Sequence, residues 1–300
     1  MFFSANKDNL PNALVIGPMR TATTWVYEYL KSRGDICLPS GVKETFFFDK
    51  RFHKGINWYG AHFKRSKGKK HLKIIEVAPS YFHSDEAPRR IFDTLGQVTL
   101  LVMVRNPVER SISHYRHLVS RGLVGTDMKK AVAKYPEIIE ASRYAHRLQK
   151  WEKVFGVGAV RVIRQELLKE NPPEFVKQLC ELLGIPFLPP PEALLYTKIN
   201  KAPVPSFPLL ARLGWRFANF LRDYRVYAPI ELAKSLGLKK LFFGSDRREK
   251  KFSLTQEDII WLEDLLKEDW IVFQRSLQGE SERELSRNSQ WLYYENSNGL

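Results

Sequence analysis

Four short, largely apolar runs punctuate the chain, at residues 13–16, 73–77, 98–104 and 160–163, and only the first is wholly apolar. Each is too short for a buried helix. Runs of this kind fit strands covered on both faces of a parallel sheet. The run at 98–104, Val-Thr-Leu-Leu-Val-Met-Val, is the strongest, and the run at 73–77 closes at Ala78-Pro79. Between the runs the apolar spacing becomes helical. One helix is expected to begin at Thr24, with Val26, Tyr27 and Leu30 on one side. Others are expected over 108–119, 142–155, 173–183 and 255–273. The helix at 173–183 has proline at its start and Gly184 past its end, and Thr255 and Asp258 sit in capping positions for the last. Strands alternating with helices predict an α/β fold: a P-loop-like central parallel sheet flanked by helices, with a C-terminal helical extension. Residues 186–208 are proline-rich and read as a surface connection, and no internal repeat is visible.

Composition adds bounds. With 300 residues, 44% of them hydrophobic, the chain can bury a sizeable core. Cys37 and Cys180 lie in apolar or helical context and are expected to be reduced core thiols. No run reaches the roughly 18 apolar residues of a membrane span, and residues 1–12 carry no signal-like segment. A soluble, cytoplasmic protein is the expectation. The net charge of +15 calls for anionic partners. Nucleic acid, an anionic cofactor, an acidic membrane surface and a polyanionic glycan all fit it.

The sharpest chemistry lies in residues 13–25, Ala-Leu-Val-Ile-Gly-Pro-Met-Arg-Thr-Ala-Thr-Thr-Trp. A strand, a loop with one cation and three threonine hydroxyls, and a helix start follow one another. Such an arrangement holds phosphate-like anions on backbone N–H groups. It is a poor triphosphatase loop. Aligned from Gly17, the second glycine of that motif is Ala22 and its lysine is Thr23. The strongest strand ends in Arg105, where a triphosphatase often carries a metal-holding carboxylate. No histidine pair among His114, His117 and His146 has metal-ligand spacing, and no metal is expected. A second anion site is expected at Arg105-Asn106-Pro107, with Ser113 about two turns into the following helix. Both sites fall at carboxyl ends of strands, where open parallel sheets bind ligands. Two sites imply a ligand with two separated phosphate-type groups.

These residues resemble the sulfotransferases that use 3′-phosphoadenosine-5′-phosphosulfate (PAPS). The first loop is similar to that family's 5′-phosphosulfate loop, and Arg-Asn-Pro…Arg-Ser-Ile-Ser is similar to its 3′-phosphate motif. Residues 41–49, Gly-Val-Lys-Glu-Thr-Phe-Phe-Phe-Asp, resemble the Lys-Glu-x-x-Phe-Phe stretch of the heparan-sulfate and related bacterial enzymes. Residues 54–59, 76–82 and 144–151 resemble that branch too, in the right order. The resemblance covers about 14–188 and is loose beyond 196.

The resemblance implies a single sulfotransferase domain over 1–278. Its core would span 13–188, its helical acceptor or lid region about 196–278, and a polar tail 279–300. It implies metal-independent in-line transfer of sulfuryl from PAPS to a hydroxyl or amine, releasing 3′,5′-ADP (PAP). Glu44 would be the base. Arg20 would steady the leaving 5′-phosphate and the sulfuryl oxygens, with Thr21, Ala22, Thr23, Thr24 and Trp25 at the same end. Arg105 and Ser113 would hold the 3′-phosphate. Arg247 and Arg248 would belong to a basic loop over the nucleotide, although a solvated charge run explains them equally well. Three departures stand out. Arg20 replaces a lysine and cannot release a proton. Val77 replaces a lysine at the end of the second strand. Phe46 replaces a histidine, which points to a different and less polar acceptor. The acceptor is unidentified, a carbohydrate or a glycolipid; residues 207–243 together with Phe46 motivate a lipid or glycolipid.

Residues 207–243 interleave arginines with aromatics, as in an interfacial helix or an acceptor lid, and a helical subdomain packed on the core explains the same pattern. Two rival functions remain: a P-loop phosphotransferase or triphosphatase, and a non-catalytic basic nucleic-acid-binding protein. The missing loop lysine and Arg105 oppose the first, and the ordered motifs oppose the second.

Overall fold

The computed structural model describes residues 9–64, 71–196 and 254–279. The four apolar runs become β1 (Ala13–Gly17), β3 (Lys73–Val77), β4 (Thr99–Val104) and β5 (Val160–Arg164), and the two-residue β2 (Ile36–Cys37) joins them. The strands lie in the order β2-β3-β1-β4-β5, and every pairing is parallel. The helices are α1 (Thr23–Arg33), α2 (Ile56–Gly60), α3 (Ala87–Leu95), α4 (Pro107–Ser120), α5 (Met128–Lys134), α6 (Glu137–Glu140), α7 (Tyr144–Phe155), α8 (Leu167–Glu170), α9 (Pro172–Leu183), α10 (Glu192–Tyr196) and α11 (Gln256–Gly279).

Strand period decides which core each residue enters. Leu14, Ile16, Ile74, Leu100, Val102 and Val104 face one core, with Tyr144, Leu148 and Trp151 of α7 and Ile91 of α3. Their neighbours Ala13, Val15, Ile75, Val77, Leu101 and Met103 face the other, against Trp25, Val26, Tyr29 and Leu30 of α1 and Phe175, Val176, Leu179 and Leu183 of α9. Cys37 and Cys180 are both buried thiols, as the sequence predicts.

The C-terminal helix is part of the body. Leu262 and Leu266 of α11 pack with Tyr115 and Leu118 of α4 and with Ile138 and Ile139 of α6. Phe273 enters the core beside Tyr144. Asp269 caps α7 from outside, its carboxylate accepting the N–H groups of Ala145 at 3.0 Å and His146 at 2.9 Å. At the start of α11, Thr255 and Asp258 bond reciprocally, as expected. The helix expected from 142 begins instead at Tyr144, because Ser142 is buried and committed to other partners. No helix among the described residues is long and apolar enough to cross a membrane. Residues 207–243, Arg247, Arg248 and the tail from 280 lie outside the described residues.

Candidate active site

The first loop owes its shape to close packing of two strand ends. Gly17 has φ +118°, and a Cβ there would stand 2.3 Å from the Pro79 carbonyl oxygen. Glycine lets the end of β1 press against the turn after β3, where Ala78 N–H donates to Val15 O and Phe82 N–H to Ile16 O. The buried Thr21 hydroxyl donates to Pro18 O at 2.7 Å and closes the loop. Arg20 and Ala22 both adopt left-handed conformations, with φ of 76° and 59°. Ala22 is the N-cap of α1 and offers no side-chain cap, and no acidic residue lies in the first turn. The first-turn N–H groups therefore keep their capacity for an anion.

The second motif meets the first directly. Arg20 Nε donates to Ser113 Oγ at 3.0 Å, so β1's loop and α4 share one surface. Asn106 caps α4 by accepting Glu109 N–H at 3.1 Å, and Pro107 opens the helix. Tyr144 O–H donates to the Arg105 carbonyl at 2.8 Å and fixes the end of β4. The Arg105 guanidinium pairs with Glu109, Nη2 to Oε2 at 2.7 Å. Burial, and then the charges of Arg105 and Arg121, hold Arg20 below its ordinary range. Among the described residues Arg20 has a hydroxyl partner and no carboxylate, so an arriving anion would relieve this crowding.

Arg110 is a structural group that sequence reasoning missed. It is fully buried and its guanidinium donates to Met19 O at 3.2 Å and also to Ser142 Oγ and Ile138 O. It thus ties the anion loop to α4 and α6. His114 accepts from the same guanidinium at 3.4 Å, and burial beside that charge holds it well below the usual histidine range. No cluster of potential metal ligands exists among the described residues.

Glu44 sits across the site. Its side chain is 18% exposed and meets Lys43 Nζ at 3.2 Å. Burial raises its carboxyl above the ordinary range, against the opposing charge of Lys43. The same Nζ reaches Thr23 Oγ1 at 3.3 Å and Thr24 Oγ1 at 3.4 Å. The segment is anchored one residue on, at Thr45. Glu76 of β3 is wholly buried, and its Oε1 accepts Thr45 N–H at 2.9 Å and Thr45 O–H at 2.6 Å. Its Oε2 accepts Tyr59 O–H at 2.8 Å and Tyr81 O–H at 3.0 Å. Phe46 adopts a left-handed conformation, its ring beneath Lys50 and Arg51. Val77 lies in the core against α1 and α9.

The Glu76 signal was legible in one respect: a lone carboxylate in an apolar strand must find partners. Glu76→Leu leaves four donors unpaired and is expected to cost about 3 kcal/mol or more, whereas Glu76→Gln costs much less. Burial lifts Glu76 from 4.5 to about 7, against the bonds that favour its ionised form. The folded value exceeds the unfolded one, so its stabilisation is complete below the unfolded value and is lost as pH rises through about 7. Between about pH 5 and pH 8 wild type should lose about 2–3 kcal/mol relative to Glu76→Gln. Chemical denaturation of both proteins at the two pH values checks this.

Comparison with known proteins gives the same picture. The sulfotransferase domain family matches residues 10–200. Heparan sulfate glucosamine 3-O-sulfotransferase 3B1 of Mus musculus is 30% identical over 203 residues, 61% of this chain and 49% of that protein. Bifunctional heparan sulfate N-deacetylase/N-sulfotransferase 1 of Xenopus laevis is 26% identical over 197 residues, 59% of this chain and 22% of that protein. The chain thus spans about half or less of these relatives. The crystal structure of a sulfotransferase from Alicyclobacillus acidocaldarius shares the fold, with TM-score 0.54 and 23% identity over 74% of this chain and 96% of that one. With the parallel sheet, the uncapped loop after β1 and the family match over residues 10–200, the chain belongs to the sulfotransferase domain family.

Proposed function

We propose that this chain transfers a sulfuryl group from PAPS to a hydroxyl or amine of an acceptor and releases PAP. The observation that carries this reading is the contact between Arg20 and Ser113, which joins the two anion-binding motifs into one cationic surface. A nucleotide with a 5′-phosphosulfate and a separate 3′-phosphate fits a surface of that composition. The uncapped first turn of α1 and the carboxylate-free Arg20 fit its 5′ end.

PAPS supplies the sulfuryl group and a phosphate leaving group. Glu44 accepts the acceptor's proton, and burial raises its carboxyl, which makes it a stronger base than an ordinary carboxylate. Arg20 and the first turn of α1 hold the 5′ end, with Thr21, Ala22, Thr23, Thr24 and Trp25 shaping that pocket. Arg105 and Ser113 hold the 3′-phosphate, and Arg105 exchanges Glu109 for it. Arg247 and Arg248, which lie outside the described residues, would add charge at the nucleotide if they belong to its basic loop. No step needs a metal. The likeness to heparan sulfate enzymes supports a carbohydrate-type acceptor, free or lipid-linked. The domain extends to about 278, with the acceptor or lid region from 196.

Radiolabelled PAPS incubated with a panel of glycans, glycolipids and amino sugars tests this. Acceptor-dependent label transfer and PAP release, unchanged by a metal chelator, are expected. No transfer from PAPS, together with Mg²⁺-dependent turnover of ATP, would overturn it.

A further inference from the structure

Lys43 has no counterpart among the groups assigned so far. Its Nζ lies within hydrogen-bond distance of three oxygens: Glu44 Oε1 at 3.2 Å, Thr23 Oγ1 at 3.3 Å and Thr24 Oγ1 at 3.4 Å. The two threonines form the first turn of α1, the anion-holding end of the loop. Thr23 stands where a triphosphate-binding loop carries its own lysine. A lysine ammonium therefore reaches that place after all, delivered by the segment that carries the base. An ordinary surface ion pair would engage Glu44 alone, whereas Lys43 bridges the base and the anion loop, with only 22% of its side chain exposed.

We propose that Lys43 is a catalytic residue: it holds the leaving 5′-phosphate and passes its charge from Glu44 to that phosphate as the reaction proceeds. The inference rests on the PAPS reading of the site. In the transfer, the acceptor oxygen bonds to sulfur and its proton goes to Glu44. The bond between sulfur and the 5′-phosphate oxygen breaks, and its electron pair stays on the phosphate. Glu44 becomes neutral as the phosphate gains charge. Lys43 loses one anionic partner and gains the other within reach of the same ammonium. Arg20 shares the hold on the 5′ end, but among the described residues it has no carboxylate partner to exchange for the phosphate, so it cannot take this part. Lys43 also opposes the rise that burial imposes on the Glu44 carboxyl.

Calorimetry with PAP and with adenosine 3′-monophosphate, which lacks the 5′-phosphate, tests the assignment. Lys43→Met is expected to weaken PAP binding about tenfold or more and to leave adenosine 3′-monophosphate within about twofold. Lys43→Arg should restore most of the PAP affinity. In turnover, Lys43→Met should move the acid limb of the kcat/KM profile to higher pH, because Glu44 loses the charge that lowers its pKa, and Lys43→Arg should move it back. Unchanged binding of both nucleotides in Lys43→Met, or an equal loss of both, would overturn the assignment. If Lys43→Met does not fold, Lys43→Gln carries the same comparison. Wild type that binds neither nucleotide would overturn the PAPS reading and this assignment with it. Wild type that binds both, beside an unselective loss in the variant, would overturn the Lys43 assignment alone.

Discussion

Glu44→Gln is expected to slow sulfuryl transfer by about 10³-fold or more while PAP binds within about twofold of wild type. The substitution keeps shape and removes only the capacity to take a proton. Glu44 is well placed for that use: it is largely enclosed, it is paired with Lys43, and its neighbour Thr45 is fixed by two bonds to the buried Glu76. Burial raises its carboxyl, so kcat/KM in wild type should climb with pH through that raised value as the base ionises. The glutamine variant should lack this limb. Steady-state rates with several acceptors and a PAP titration of the same preparation check it, and wild-type rates in the variant would sink the base assignment.

Arg20→Ala is expected to lower kcat/KM by about 10³-fold and, unlike Glu44→Gln, to weaken PAP binding as well. Arg20 is the loop's own cation, and its Nε holds Ser113 across the two motifs at 3.0 Å. Removing it takes away a charge that acts on the leaving group and unfastens the loop from α4. Arg20→Lys should recover part of the rate, because the charge returns without the planar donor that reaches Ser113. Arg20→Ala loses the bond to Ser113 but also relieves the repulsion from Arg105 and Arg121, so its thermal stability should change little. A variant that melts with the loss of activity would assign Arg20 a structural role instead. PAP titration and thermal unfolding together separate the two cases.

Much of this arrangement could be read along the chain because its parts are local. Strands β1, β3, β4 and β5 came from apolar runs, and the anion loop came from Gly17, Arg20 and the threonines in one short stretch. The helix expected over 108–119 is α4, which opens one residue earlier at Pro107 with Asn106 as its cap. The two-residue β2 carries too little pattern to be seen, and it exists because β3 lies beside it. The groups that stiffen the site are a different matter. Arg110 looks like any helical surface cation until α6 and the anion loop bring carbonyls to it. Glu76 gains Tyr59 and Tyr81 only when three separate segments fold together. Lys43 meets Thr23 across 20 residues of chain. Each of these contacts depends on tertiary closure, which no local spacing encodes.

The central claim is that this surface is built for a 3′,5′-bisphosphate nucleotide and not for a metal-bound triphosphate. Calorimetric titration of the full chain with PAP and with ATP, each with and without Mg²⁺, tests it most directly. The account predicts PAP binding that Mg²⁺ does not strengthen, and ATP binding that is weak in both conditions. Tight ATP binding that requires Mg²⁺, with no heat from PAP, would contradict it.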